Sequence, residues 1–256
     1  MIRERGQPVA PCETAPIAFE GVSKFYEREA ALQDISLSFE NDVTTAVVGP
    51  SGSGKSTLLQ LVNGLVRPSQ GRILVFGKPI DYARLVELRR QIGYAVQGTG
   101  LFPHLTVEEN ITLLAKLAKW EPARIRARAE TLMKLVNLPL AYARRHPHEL
   151  SGGQQQRVGL CRAMLLNPRI FLLDEPFGAL DPITRNEIHR EFLHLQASEA
   201  RTIVLVTHDL REAQKLAQRL VILDRGRIVQ HGNRTEVLEN PANEFVRTFF
   251  QSQLET

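Results

Sequence analysis

Residues 44–62 read TTAVVGPSGSGKSTLLQLV, an apolar run that passes into a glycine-rich turn and then into leucines at helical spacing. TTAVV has the content of a buried strand, and Leu58, Leu59, Leu61 and Val62 mark the inner face of a helix. Between them Gly49, Gly54, Lys55 and Ser56 satisfy G-x-x-x-x-G-K-[ST]. Glycines let backbone N–H groups close around phosphates, the helix start adds its positive end, and the lysine is placed for the outer phosphates. Strand, loop and helix in that order read as a phosphate-binding loop, not a chance glycine turn. Pro50, Ser51, Gly52, Ser53 and Thr57 complete the wrap, and Ser56 is placed to bind magnesium.

Working outward, RIFLLDEP (169–176) and TIVLVTHD (202–209) are short continuous apolar runs, each followed by a helical pattern. Strands buried on both faces read this way, and their alternation with helices predicts an α/β fold with a mainly parallel sheet. DISLSFE (34–40) instead alternates apolar and polar residues, as a strand with one buried face does. From about Leu101 to Leu150 the pattern turns helical throughout, through TVEENITLLAKLAKW and RARAETLMKLVNL, with Thr106 and Glu109 spaced as a capping box. The expectation is one nucleotide-binding domain over residues 17–256, carrying a helical subdomain at about 98–165 and preceded by a loose, proline-rich tail over 1–16.

Composition narrows the setting. With 256 residues, 43% of them hydrophobic, the chain can bury a real core. No apolar run approaches the roughly 18 residues a membrane helix needs, and the basic start MIRERG has no apolar stretch behind it, so a cytoplasmic location is expected. Cys12 and Cys161 have no metal or disulfide spacing and read as free thiols. The net charge of +4 comes from clusters such as Arg89-Arg90, Arg124/Arg126/Arg128 and Arg144-Arg145, scattered through helical segments as solvated faces, so no nucleic-acid partner is expected.

Chemistry gathers at the strand ends. Asp174 can hold magnesium through water, and the adjacent Glu175 can polarise an attacking water. His208 closes the next buried strand; it reads either as a contact to the terminal phosphate or, with Asp209 and Glu212 forming a cap, as a histidine at a helix start. Gln97 after IGYAV and Tyr26 in VSKFYERE are, taken singly, ordinary strand-end residues. ELSGGQQQR (149–157) holds a capping box, Ser151 with Gln154, which explains the serine but not Gly152 and Gly153. Two glycines at a helix start cost roughly 1 kcal/mol each against alanine, which suggests close approach by something outside the helix.

Taken in order, GPSGSGKST, Gln97, LSGGQ, LLDEP, ALD and His208 resemble the ATP-binding cassette (ABC) ATPases, over nearly all of the chain from Phe19 to Phe250. LSGGQ is the discriminating element, and no N-K-x-D stretch points to guanine. The resemblance implies a P-loop NTPase fold with an N-terminal antiparallel β-subdomain beside the parallel core sheet and helical subdomain. It implies that ATP is bound with Mg2+: Tyr26 stacks on adenine, Gly49 to Thr57 hold the phosphates, and Ser56, Gln97 and Asp174 serve the metal. Glu175 is then the general base and His208 the switch histidine. Ser151, Gly152, Gly153 and Gln154 act on the ATP of a second subunit, and Asp181 lies at the dimer interface.

LRRQIGYAVQGTGLFPHLTVEENI, HPHELSGGQQQRVG, DEPFGALDPITR and NPANEFVRTFF are further similar to the importer ATPases for glycine betaine, choline and carnitine. That resemblance implies a homodimer at the cytoplasmic face of the inner membrane. Its partners are transmembrane permease subunits, docking near LFPHLTVEEN, and indirectly a substrate-binding protein. Relatives with this tail often continue into two regulatory domains, which are not expected in a chain stopping at Thr256.

Overall fold

The computed structural model describes residues 15–27, 29–98, 100–198 and 201–254. Cys12 and all but the last two residues of the 1–16 tail lie outside them.

Two long strands, β1 (Ile17–Tyr26) and β2 (Glu29–Phe39), bury Leu32, Ile35, Leu37 and Phe39 on one side and pair antiparallel, Ile17 opposite Phe39. The fully buried β3 (Thr44–Val48) then enters the second sheet, and the glycine loop leads into α1 (Lys55–Val62). β4 (Gln70–Val75) returns beside β1, and β5 (Lys78–Pro79) ends a four-stranded antiparallel sheet in the order β2-β1-β4-β5.

After α2 (Leu85–Arg89) and β6 (Ile92–Ala95) come three helices, α3 (Val107–Leu117), α4 (Pro122–Leu135) and α5 (Gly152–Met164), with two short 3-10 turns before the last. Thr106 Oγ1 accepts from the Glu109 N–H at 3.3 Å and Glu109 Oε2 accepts from the Thr106 N–H at 2.8 Å, closing the capping box that starts α3. The remaining order is β7 (Ile170–Asp174), α6 (Pro182–Ser198), β8 (Thr202–Val206), α7 (Leu210–Leu216), β9 (Arg219–Asp224), β10 (Arg227–Asn233), α8 (Arg234–Glu239) and α9 (Glu244–Leu254). The second sheet runs β10-β9-β3-β8-β7-β6, parallel throughout except where β10 pairs with β9.

Both faces of that sheet are covered, which is why its central strands carry no polar alternation. Ile170 and Leu172 of β7 pack with α1 and the antiparallel sheet; Phe171 and Leu173 pack with the helical layer of α3, α4, α5 and α6. Ala46 and Val48 of β3 face α7 and α9. Leu58, Leu59, Leu61 and Val62, all fully buried, anchor α1. Each such side chain contributes about 1.5–3 kcal/mol of burial, enough to hold a short helix with a glycine at its start.

Candidate nucleotide-binding site

Parallel register assembles the site. Val47 of β3 and Asp174 of β7 both lie opposite Val206 of β8, and Ala95 of β6 lies opposite Leu173. The segments that follow these strands therefore emerge at one edge: the phosphate loop, Glu175, Thr207-His208 and Gln97. Ligands of open parallel sheets collect at such carboxyl ends.

The loop is held tightly from behind. Gly54 has φ +102°, and a Cβ there would sit 2.4 Å from the carbonyl oxygen of Ala31 on β2. At Gly49 a Cβ would meet Leu223 O at 2.0 Å. The turn between β9 and β10 adds a clamp, the Gly226 N–H donating to Ser53 O at 3.0 Å. Lys55 is 7% exposed, and its Nζ donates to the carbonyls of Gly49 and Pro50 at 2.8 Å each. Burial lowers its pKa, against the pull of Glu175 and Asp174 in the other direction.

Oxygen donors stand opposite. Ser56 Oγ donates to Asp174 Oδ1 at 3.1 Å, joining the start of α1 to the end of β7. Burial raises the Asp174 pKa, Glu175 adds to the rise, and the Ser56 hydrogen bond and Lys55 oppose it. Among the described residues no cluster of three His, Cys, Asp or Glu could cage a metal alone. A hydroxyl and a carboxylate in contact nevertheless fit Mg2+, which takes oxygen ligands, often one or two from protein with the rest from phosphates and water.

Two further sequence-predicted residues, Gln97 and His208, meet at Glu175. Gln97 Nε2 donates to Glu175 Oε2 at 3.2 Å, and His208 Nδ1 lies 3.2 Å from Oε1. Glu175 itself has φ +47°, a left-handed conformation costly for a residue with a side chain, and its N–H donates to Val206 O at 2.9 Å. Behind it, His189 Nε2 and Glu212 Oε1 approach to 3.2 Å, both residues buried, tying α6 to the helix that follows His208. Tyr26 is exposed at the end of β1, and the Lys24 ammonium sits 4.9 Å from its ring centre.

Ser151 caps α5, accepting from the Gln154 N–H at 3.3 Å, while Gln154 Oε1 accepts from the Ser151 N–H at 3.0 Å. Among the described residues no hydrogen bond joins 151–154 to the phosphate loop. The two glycines differ. A Cβ at Gly152 would meet nothing within 4 Å, whereas at Gly153 it would lie 3.1 Å from Ala179 O of the same chain. Within the chain nothing requires a glycine at 152, whereas Gly153 seats α5 on its own loop. Asp181, exposed, accepts from the Thr184 N–H at 3.0 Å and caps α6, and hydrogen bonds from the Thr184 hydroxyl and N–H lower its pKa.

Two residues that sequence reasoning passed over matter here. Gln156 on α5 donates to Glu175 O at 2.7 Å and accepts from the Ala179 N–H at 3.0 Å. Buried Asn110 accepts from the Phe102 N–H and donates to the carbonyls of Phe102, Leu105 and Thr106 at 3.0–3.1 Å, ordering the LFPHLT loop beside Gln97. Asn110 falls at helical spacing among Val107, Ile111 and Ala115, and a polar residue at such an inward position is the signal that marks it; Gln156, beside Gln154 and Gln155, is set apart by its burial alone.

Comparison with known proteins accords with this geometry. Residues 32–178 match the family described as ABC transporter. The glycine betaine/carnitine/choline transport ATP-binding protein OpuCA of Bacillus subtilis is 50% identical over 91% of this chain and 62% of its own length. The glycine betaine uptake system ATP-binding protein YehX of Escherichia coli is 47% identical over 91% of the chain and 76% of its own. A dimeric structure of MJ0796, a bacterial ABC transporter cassette, superposes with a TM-score of 0.80 at 33% identity, over 85% of this chain and 98% of that one. With the family match running from β2 through the strand-end carboxylates, and such relatives matching nine-tenths of it, the chain belongs to the ABC transporter family.

Proposed function

We propose that the chain is the ATP-hydrolysing subunit of an importer for quaternary-amine osmoprotectants of the glycine betaine, choline and carnitine type. The observation that carries the catalytic part is the convergence of Gln97 and His208 on the two oxygens of Glu175, one residue beyond the Ser56–Asp174 contact. The substrate class is supported by the names of the relatives, which span more chain than this one does.

In this reading the N–H groups of the Gly49–Thr57 loop, which Pro50 does not supply, bind the ATP phosphates, and Lys55 exchanges its two carbonyl partners for phosphate oxygens. Adenine stacks on the Tyr26 face away from Lys24. Ser56, Asp174 and the Gln97 amide oxygen would hold Mg2+, which when bound would neutralise charge on the outer phosphates. Glu175 accepts a proton from a water held between it, Gln97 and His208. The water oxygen bonds to the terminal phosphorus as the bond to the bridging oxygen breaks, leaving ADP and phosphate. His208 contacts the terminal phosphate and reports its presence to α7.

A complete site takes Ser151 to Gln154 from a second copy, with Asp181 at the shared interface, so ATP holds a head-to-tail dimer that hydrolysis loosens. No described helix is long and apolar enough to cross a membrane. In this reading the dimer works against separate permease subunits at the cytoplasmic face, with a substrate-binding protein upstream of them. The Phe102–Leu105 loop, fastened by Asn110, is the proposed docking point.

Uptake of labelled glycine betaine by cells lacking this chain tests the reading. The wild-type gene is expected to restore uptake and the Glu175→Gln gene to fail. Restored uptake of an amino acid instead of a quaternary amine would keep the ATPase and replace the substrate class.

A further inference from the structure

Gln156 is the fifth residue of α5 and is 7% exposed. Its neighbours on the buried face, Val158, Leu160 and Cys161, are apolar, and a residue serving only to fill that space would be apolar as well. Instead both ends of its amide are used, and both on one loop. Nε2 donates to the carbonyl of Glu175 at 2.7 Å, and Oε1 accepts from the N–H of Ala179 at 3.0 Å. The same loop ends in Asp181, and at its last turn the absent Cβ of Gly153 lets Ala179 O come close to the start of α5.

The loop it grips stores strain. Glu175 is left-handed, a conformation costly for a residue with a Cβ that persists only where neighbours impose it. Its N–H is fixed by β8 through Val206 O. Its carbonyl is fixed by Gln156 and, more weakly at 3.3 Å, by the Gly178 N–H. Releasing the carbonyl frees the peptide that aims the carboxylate.

We propose that Gln156 is a positioning residue for hydrolysis. Through it α5, whose first turn is the LSGGQ stretch, holds the loop that carries Glu175 and Asp181, so that seating LSGGQ on a partner's ATP sets the attack geometry in its own chain. This rests on the reading of Glu175 as base and of LSGGQ as acting in trans. The two sites of a dimer are then linked by one side-chain amide in each subunit.

The test is steady-state ATP hydrolysis by the purified full chain carrying Gln156→Met, which removes both hydrogen bonds at similar volume. Gln156→Glu keeps the acceptor for Ala179 and loses the donor to Glu175. Both variants are expected to lose kcat by roughly 10–100-fold, the scale of a misplacement near 1 Å, with KM for ATP within about twofold. In a Glu175→Gln background, Gln156→Met is expected to leave ATP-driven dimerisation intact, which a merely structural role would not. A kcat within twofold of wild type in Gln156→Met, with Glu175→Gln inactive, overturns the positioning role alone. Loss of ATP binding and dimerisation in step with kcat reduces Gln156 to packing and overturns it too. Full turnover in Glu175→Gln itself overturns the catalytic reading on which the proposal stands.

Discussion

Two adjacent carboxylates, Asp174 and Glu175, sit in different surroundings, and the difference assigns their work. Glu175 is partly open and bracketed by Gln97 and His208; Glu175→Gln is expected to lower kcat by about 10²–10⁴-fold, the usual worth of a general base, while a fluorescent ATP analogue still binds. Asp174 is 2% exposed, and burial holds its pKa above the ordinary carboxylate value. A carboxyl whose pKa is raised by folding binds its proton more tightly in the native state, so stability falls as pH rises through the unfolded and then the folded value. At neutral pH its charge therefore weakens the fold. Asp174→Asn, which still accepts from Ser56, is expected to leave Tm at pH 7 equal or higher without nucleotide and to abolish magnesium-dependent hydrolysis; a lower Tm contradicts the sign. These carboxylates, Lys55 and Ser56 were legible because packing alone rarely places tandem acids at a buried strand end, and a plain turn has no use for the lysine of G-x-x-x-x-G-K-[ST]. Gln156 was not, because in QQQR it stands beside Gln154 and Gln155, and only burial separates a working amide from a solvated one.

The element that links residues to assembly is α5. Its capping box was readable from Ser151 and Gln154, but the division of labour between its glycines was not, since sequence holds no distance to Ala179. Alanine at Gly152 meets open space and gains up to about 1 kcal/mol of backbone entropy. Alanine at Gly153 must push back Ala179 O and Leu180. Thermal unfolding is expected to rank Gly152→Ala above Gly153→Ala in Tm, and the reverse order would place the tight contact wrongly. The central strands β3, β7 and β8 were visible as apolar runs because both faces are buried. The turn joining β9 to β10 was hidden for a chemical reason: Arg225 and Gly226 are both left-handed, at φ +45° and +74°, where Asn-Gly or Asp-Gly is the usual pair. The position that clamps the phosphate loop from behind was thus disguised by an arginine.

At the scale of the whole molecule, phosphate loop and LSGGQ stretch lie on one chain without a hydrogen bond between them among the described residues, and Gly152 faces open space. In the proposed two-chain site each is one half. A cassette of similar fold, MJ0796, forms a dimer. The most direct measurement is sedimentation of the Glu175→Gln chain with and without ATP and magnesium, alone and combined with Gly152→Asp. ATP is expected to convert Glu175→Gln from monomer to dimer. The double variant is expected to bind ATP with unchanged affinity and remain monomeric. If Gly152→Asp instead abolishes ATP binding by the monomer, as Lys55→Ala is expected to do, LSGGQ serves its own chain's pocket and the two-chain site is contradicted.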